Sequence, residues 1–193
     1  MATFSVSCLA NENDSILQRF IAHYLRKGAA EVALFIDRAE GDTPVSLAPF
    51  DAQQQKRIKI TYCDEAYWDA IGRNRPAVLE VRQRTVFTHY FKHAPQDWVL
   101  ACDADEYLVS TEPLCSVLDL APDDVISVTF FTIEAVWGPD EKIEESFDNT
   151  WFRTPFPTPK AWQRSRWNLY GLTGCQQPIC NDQPMLICIG VPD

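Results

Sequence analysis

The stretch of sequence that decides the fold class is Trp98-Val-Leu-Ala-Cys-Asp-Ala-Asp-Glu-Tyr-Leu108. Its first five residues are apolar or small, and a short run of this kind without alternation predicts a strand buried on both faces, as in a parallel sheet. Three carboxylates then follow within four positions. Because unpaired buried carboxylates are very costly, we expect the strand to end at Cys102 and the carboxylates to emerge at its carboxyl end. Ligands bind at that edge in open α/β sheets.

Asp103 and Asp105 are separated by one small residue, so in extended geometry their side chains point to the same side. Two negative charges on one side repel each other unless a cation lies beside them. We therefore predict Asp103 and Asp105 as ligands of a hard divalent ion, Mn²⁺ or Mg²⁺, whose coordination phosphate oxygens complete. The alternative is a solvated turn or the start of a helix, since Asp is favoured at helix caps.

Regular elements are also predicted before and after this stretch. Apolar runs predict strands at 4–10, 31–37 and 58–63, and a longer β segment over 124–137 that bends near Glu134. Apolar residues at helical spacing predict one helix from about 14 to Gly28 and another from Arg75-Pro76 to about 94. Five residues form the predicted inner face of this second helix: Val78, Leu79, Val86, Phe87 and Tyr90. The alternation predicts an α/β fold with a mostly parallel central sheet and helices on both faces.

Polar residues follow each of the first four predicted strands. They are Asn11 and Glu12, then Asp37, then Asp64, and finally Asp103 with Asp105. In a parallel sheet these strand ends line one edge, so we expect the polar side chains to converge on one crevice. The sequence contains neither a GxGxxG nor a GxxxxGK[ST] loop, which argues against a dinucleotide-binding or P-loop enzyme.

Composition limits the classes of function. The net charge is −10, and all of the excess negative charge lies after residue 100, where 5 Lys and Arg face 15 Asp and Glu. A net-acidic chain argues against general nucleic-acid binding. No apolar run is long enough to predict a transmembrane segment, and no signal peptide is predicted. Seven scattered cysteines are typical of reduced thiols in a cytoplasmic protein. We divide the chain into a core, 1–140, and an irregular acceptor-side or C-terminal extension of the same domain, 141–193.

Several of these pieces together resemble a known group of enzymes. The pieces are Asn11-Glu12 at the helix start, His23-Tyr24 and Gly28 in and after the helix, Phe35-Ile36-Asp37 with Gly41-Asp42-Thr43, Gln83-Arg84, the Asp103-Ala-Asp-Glu-Tyr-Leu108 segment and Val136-Trp137-Gly138. In this order they resemble the glycosyltransferase family 2-like group with a D-x-D-E-[FY] motif, which is related to the family 92 (domain of unknown function 23) enzymes. The resemblance covers roughly residues 4–138.

The resemblance implies a GT-A-like, Rossmann-type fold and a transferase that takes a sugar from a nucleoside-diphosphate sugar. Asp103 and Asp105 would then face the metal and the diphosphate. The implied donor-binding residues are Asn11, Glu12, Asp37, Asp64 and Arg84. In an inverting enzyme a carboxylate would also deprotonate the hydroxyl of a carbohydrate or lipid-linked acceptor. The candidates for that base are Glu134, Asp140 and Glu141, near the end of the long β segment.

Two other functions remain open from the sequence. One is a non-catalytic binding or scaffold module that keeps a GT-A-like fold but lacks a complete acceptor site. It is suggested by the short C-terminal part and by the position of all three histidines, His23, His89 and His93, before the acidic segment, whereas relatives commonly carry a histidine after it. The other is a nucleotidyltransferase on a related sheet, although the Gly-rich loop with Lys or Arg that it needs is not visible.

Overall fold

The structure is a computed structural model that describes residues 1–38, 44–110, 112–122, 124–125, 127–130, 134–136, 151–153 and 185–188. Its chain forms two compact units. The first comprises Met1–Phe130 with Asp182–Cys188, and the second comprises Phe131–Asn181 with Ile189–Asp193. Within the described ranges, no helix combines the length and the apolar character that a membrane crossing requires.

The first unit contains six strands and five helices among the described residues. The strands are β1 (Phe4–Ala10), β2 (Glu31–Ile36), β3 (Ile58–Tyr62), β4 (Trp98–Ala101), β5 (Ser127–Phe130) and β8 (Met185–Cys188). The helices are α1 (Asp14–Arg26), α2 (Ala52–Gln55), α3 (Glu65–Ala70), α4 (Leu79–Phe91) and α5 (Leu114–Leu118). The described part of the second unit is an antiparallel pair, β6 (Glu134–Val136) with β7 (Trp151–Arg153).

The six strands form one sheet in the order β3-β2-β1-β4-β8-β5, and every neighbouring pair is parallel. Val6 of β1 lies opposite Val32 on one side and opposite Leu100 on the other. The prediction of an α/β fold with a mostly parallel sheet is therefore confirmed. Because β1 to β4 run in the same direction, their carboxyl ends meet at one edge of the sheet, which we call the carboxyl edge.

Helices cover both faces of this sheet. Leu17, Phe20 and Ile21 of α1 are fully buried in one cluster with alternate residues of β1, β2 and β4. Burial of each such side chain stabilises the fold by roughly 1.5–3 kcal/mol. The other face is covered by α4, which contacts β1 and whose Tyr90 ring packs edge-on against Phe35 at 5.8 Å. Phe35 alternates with the residues that face α1, so the two helices lie on opposite sides.

Helix α1 begins and ends where its capping residues predict. The side chain of Asn13 accepts a hydrogen bond from the Ile16 amide at 3.2 Å, which satisfies one of the unpaired amides of the first turn. Gly28 follows the last turn with φ +91°, and its amide donates to the carbonyl of Leu25. A side chain at that φ would be strained, so glycine ends this helix at little cost.

The second predicted helix begins later than the sequence indicates. It starts at Leu79, and Val78 before it is extended, with φ −89° and ψ 129°. Arg75 precedes a proline, which disfavours the helical conformation, and the guanidinium of Arg82 binds the carbonyls of Pro76 and Ala77 outside the helix. The prediction that Val78 and Leu79 face inward is wrong, since these side chains are 55% and 49% exposed. Val86, Tyr90 and Phe91 form the buried face of α4.

Within the predicted β segment over 124–137, the structure describes β5 in the main sheet and β6 in the antiparallel pair, and residues 124 and 125 lie outside both strands. The short helices α2 and α3 are not predicted from the sequence. Each begins at an aspartate, Asp51 or Asp64, whose side chain accepts hydrogen bonds from backbone amides. Strand β8 lies between β4 and β5, so the main sheet takes a strand from beyond residue 140.

Candidate functional site

The order of the strands singles out one point on the carboxyl edge. From β1 the chain passes through α1 to β2 on one side, whereas β5 and β8, which follow β4 in sequence, lie on the other side of the sheet. The point between neighbouring strands where the connections diverge is where ligands bind in open α/β sheets. Here it lies between β1 and β4. The segments that emerge at this point are Asn11-Glu12 and the acidic stretch from Asp103.

The chain segments that follow β1 and β4 emerge side by side. The two strands are parallel neighbours, with Ser7 opposite Ala101, and the amide of Cys102 donates to the carbonyl of Ser7 at 3.2 Å. The prediction that these two strand ends meet is therefore confirmed. Nearby Cys8 is fully buried, and burial raises the pKa of its thiol; the charges of Asp103, Glu106, Asp105 and Glu12, in decreasing order, raise this pKa further.

The acidic segment is a turn, which corrects the extended geometry predicted for Asp103 and Asp105. The amide of Glu106 donates to the carbonyl of Asp103 at 3.1 Å, and the amide of Asp103 donates to the Glu106 carboxylate at 3.1 Å. Ala104 is buried in this turn, whereas Asp103 and Asp105 are exposed. These two hydrogen bonds close the chain on itself directly after β4.

Asp103 is a carboxylate whose charge is disfavoured by its surroundings. Burial by neighbouring groups raises its pKa, the charge of Asp105 raises it further, and a hydrogen bond from Gln83 opposes both effects. That bond runs from Nε2 of Gln83 on α4 to Oδ1 of Asp103 at 2.8 Å. A neutral amide orients the carboxylate but supplies no compensating charge. A bound cation would relieve the electrostatic cost.

Helix α1 holds the acidic segment in place from the other face of the sheet. The hydroxyl of Tyr24, which is fully buried, donates to the carbonyl of Glu106 at 2.9 Å. The same hydroxyl accepts from the amide of Leu108 at 3.3 Å and from Sγ of Cys102 at 3.5 Å. His23 and Lys27 contact the carbonyls of Leu108 and Ser110. One side of α1 therefore fixes the backbone from 106 to 110.

A second charged cluster lies at the end of β2. Both oxygens of Asp37 are bound by guanidinium groups: Oδ1 accepts from Arg75 at 2.8 Å and Oδ2 accepts from Arg82 at 2.8 Å. The side chains of Asp37 and Arg82 are 5% and 13% exposed, but that of Arg75 is 49% exposed. The role of these arginines was not predicted. One feature of the sequence could have indicated this cluster. Two arginines lie on either side of the start of α4, later in the chain than a strand that ends in an aspartate.

The remaining predicted residues occupy different places. Asn11 and Glu12 are exposed just after β1, and Arg84 is exposed on α4. Asp64 follows β3 on the same edge, and its side chain caps α3 by accepting from the Tyr67 amide at 2.9 Å. Glu134 lies in β6 opposite Arg153, in the second unit. Asp140 and Glu141 lie outside the described residues.

The donor set at Asp103 fits a hard divalent cation. Magnesium is usually held by one or two carboxylates and by substrate phosphates, so it does not need a complete cage of protein ligands. Within the part of the chain that the structure describes, no group of three or more His, Cys, Asp or Glu side chains is arranged to hold a metal, so any ion at Asp103 would depend on ligands from a bound substrate or from water. Asp103 is exposed, next to a second carboxylate, and electrostatically favourable to a cation. Gln83 binds Oδ1 of Asp103, so the oxygen proposed to contact a cation is Oδ2.

Comparisons with models of protein families, with curated proteins and with solved structures found no significant match to this chain.

Proposed function

We propose that this chain is a metal-dependent glycosyltransferase, with a GT-A-like, Rossmann-type fold, that moves a sugar from a nucleoside-diphosphate sugar to an acceptor hydroxyl. The observation that supports it most is the position of Asp103. This carboxylate lies at the divergence point between β1 and β4, beside Asp105, with a raised pKa. The proposed donor is a nucleoside-diphosphate sugar, and the proposed acceptor is a carbohydrate or a lipid-linked hydroxyl.

In this proposal the acidic turn after β4 binds the metal–diphosphate end of the donor. Mn²⁺ or Mg²⁺ bound there would neutralise the negative charge that develops on the departing diphosphate. Gln83 holds Oδ1 of Asp103 in place, and Tyr24 binds the backbone of Glu106 and Leu108, which directly follow the two aspartates. A carboxylate that is already oriented loses little freedom when a cation binds, so these contacts favour binding.

The β2 end of the carboxyl edge has a different role in the proposal. Since both oxygens of Asp37 are bound by arginines, a nucleoside at this position would meet Arg75, the exposed member of the cluster. The base that activates the acceptor remains one of Glu134, Asp140 and Glu141. A cytoplasmic location belongs to the same proposal, and the thiols of Cys8, Cys63 and Cys115, which form no disulfide, are consistent with it.

The direct test is calorimetry with UDP and GDP, in the presence and absence of Mn²⁺. We expect at least one nucleotide to bind only with Mn²⁺, and Asp103→Ala to weaken that binding by at least about tenfold. Asp97→Ala is the matched control. Asp97 is an exposed carboxylate just before β4, at the opposite end of the same strand. A protein that ignores both nucleotides with Mn²⁺, or an Asp103→Ala variant that binds as well as the parent, would contradict the proposal.

Turnover separates the enzyme from the non-catalytic module. A panel of sugar nucleotides is incubated with the protein and Mn²⁺, and release of the nucleoside diphosphate is measured. The transferase requires metal-dependent release from at least one sugar nucleotide, with loss of this release in Asp103→Ala. Nucleotide binding without release from any sugar nucleotide in the panel would favour the binding or scaffold module instead.

A further inference from the structure

Two of the three histidines of the chain lie together at the C-terminal end of α4. His89 is in the last turn of the helix, and His93 follows just after it, four residues later. The amides of His93 and Ala94 both donate to the carbonyl of Tyr90 at 2.9 Å, so the chain keeps turning past the end of α4 and places the two histidines on the same side. Their rings are 4.6 Å apart between centroids and are inclined by 41°. His93 is exposed and His89 is partly exposed, so both rings can be reached from solvent.

The hydrogen bond of His93 determines which of its nitrogens is available. Its Nδ1 lies 2.7 Å from the carbonyl oxygen of His89. A carbonyl oxygen can only accept, so Nδ1 carries the proton and Nε2 of the neutral ring carries the lone pair. Histidines that bind metals usually donate their other ring N–H to a carbonyl or a carboxylate in this way. The backbone thus holds His93 in the tautomer that a metal requires.

We propose that His89 and His93 form a two-histidine chelate for a divalent transition metal that prefers imidazole nitrogen, such as Zn²⁺ or Ni²⁺. Pairs of histidines four residues apart on a helix bind zinc with both rings, and imidazole suits Zn²⁺ and Ni²⁺. Water completes the coordination, because no third His, Cys, Asp or Glu joins the pair among the described residues.

This site is distinct from the acidic turn in both place and chemistry. Gln83, which contacts Asp103, precedes His89 by six residues of α4, which corresponds to roughly 9 Å along the helix axis. The acidic turn offers oxygen ligands that suit Mn²⁺ or Mg²⁺, and the histidine pair offers nitrogen ligands. The proposal therefore does not rest on the transferase activity. It would place a second metal site at the C-terminal end of α4, away from the one proposed in the turn after β4.

Two lysines limit the affinity of the pair. The charges of Lys59 and Lys92 act on His89, and positive charge opposes the approach of a cation. A chelate with two protein ligands beside two ammonium groups is weaker than a structural zinc site with four ligands. Removal of one of these charges gives a useful control, because Lys92→Gln leaves both rings in place and is expected to strengthen binding.

The test is titration of the protein with Ni²⁺, chosen because Zn²⁺ also binds the thiolates of a chain with seven cysteines. Calorimetry up to about 1 mM Ni²⁺ compares the parent with His89→Gln, His93→Gln and Lys92→Gln. We expect each histidine variant to bind at least about tenfold more weakly, and Lys92→Gln to bind as tightly as the parent or more tightly. In nuclear magnetic resonance, paramagnetic Ni²⁺ is expected to broaden the ring signals of His89 and His93 before those of His23.

Circular dichroism of each variant controls for folding, and the exposed His93 provides a second variant if His89→Gln does not fold. Binding that is undiminished in both histidine variants would overturn the proposal. So would a parent protein that binds no Ni²⁺ over the whole range, or broadening that begins at His23. Binding lost in either folded histidine variant but kept in Lys92→Gln would support it.

Discussion

Two aspartates at equivalent places in the sheet have opposite surroundings. Asp37 follows β2 and Asp103 follows β4, and both lie on the carboxyl edge. Asp37 is buried, and two arginines bind its two oxygens. The side chain of Asp103 reaches solvent and accepts a hydrogen bond from a neutral amide; its pKa is raised because neighbouring groups displace part of the water around it and because Asp105 carries a like charge.

The difference shows that position on the edge does not by itself define a ligand. A carboxylate whose charge is balanced by arginines within the protein has little to gain from a metal ion, and it serves to hold the end of β2 and the start of α4 together. A carboxylate that is held in place but whose negative charge is disfavoured by its surroundings is stabilised when a cation binds to it. In the proposed function, Asp37 therefore serves mainly the fold, and Asp103 is the proposed metal ligand.

The largest effect is expected from Asp37→Ala. It leaves the largely buried guanidinium of Arg82 without its carboxylate, and loss of one partner of a buried pair costs about 3–5 kcal/mol. Urea denaturation would measure the loss in the free energy of unfolding. Arg75→Ala is the control, because a half-exposed partner contributes at most about 1 kcal/mol. If Asp37→Ala is as stable as the parent protein, Asp37 does not stabilise the fold and the contrast with Asp103 fails.

An intermediate effect is expected from Tyr24→Phe. The variant keeps the ring but removes the hydroxyl that binds Glu106 and Leu108, which leaves a buried amide unsatisfied at a cost of about 1–3 kcal/mol. Faster hydrogen exchange at the Leu108 amide would locate the loss in the acidic segment. Tyr62→Phe is the matched control: its hydroxyl accepts from the Val45 amide at 3.0 Å, but its side chain is partly exposed. Unchanged exchange at Leu108 would show that Tyr24 does not fix this segment.

The smallest effect concerns the dependence of stability on pH. Asp103 has a folded-state pKa above its ordinary value of 3.8, so the folded protein holds this proton more tightly than the unfolded chain does. Ionisation of Asp103 therefore lowers stability as pH rises through that window. We expect Asp103→Asn to raise Tm at pH 7 without metal, and the gain to disappear as pH falls toward 3.8.

Asp97→Asn should behave in the opposite way. Hydrogen bonds from the amide and the hydroxyl of Thr3 lower the pKa of Asp97, so its ionised form stabilises the fold above its ordinary pKa. The variant is expected to lower Tm at pH 7, with a loss that disappears as pH falls through the folded-state pKa. If Asp103→Asn lowers Tm at pH 7 as Asp97→Asn does, the negative charge of Asp103 does not destabilise the folded protein.

Much of the sheet could be predicted from the sequence, because strand-forming runs are local. The strands β1 to β4 and the helix α1 occur within a residue or two of their predicted places. The errors lie where contacts of individual side chains accompany the local structure. The guanidinium of Arg82 binds two carbonyls of the extended segment before α4, and Tyr24 binds the backbone of the acidic segment from 82 residues away. Such contacts produce no periodic pattern in the sequence.

The sequence by itself determined that apolar strands end in acidic residues and that these ends meet at one edge, because burial of an unpaired charge is too costly to allow any other end point. Only the tertiary structure decided which acidic residue is neutralised. Arg75 and Arg82 reach Asp37 from 38 and 45 residues away, and Gln83 reaches Asp103 from 20. Electrostatic balance depends on distances in space, and the linear order of the residues does not contain those distances.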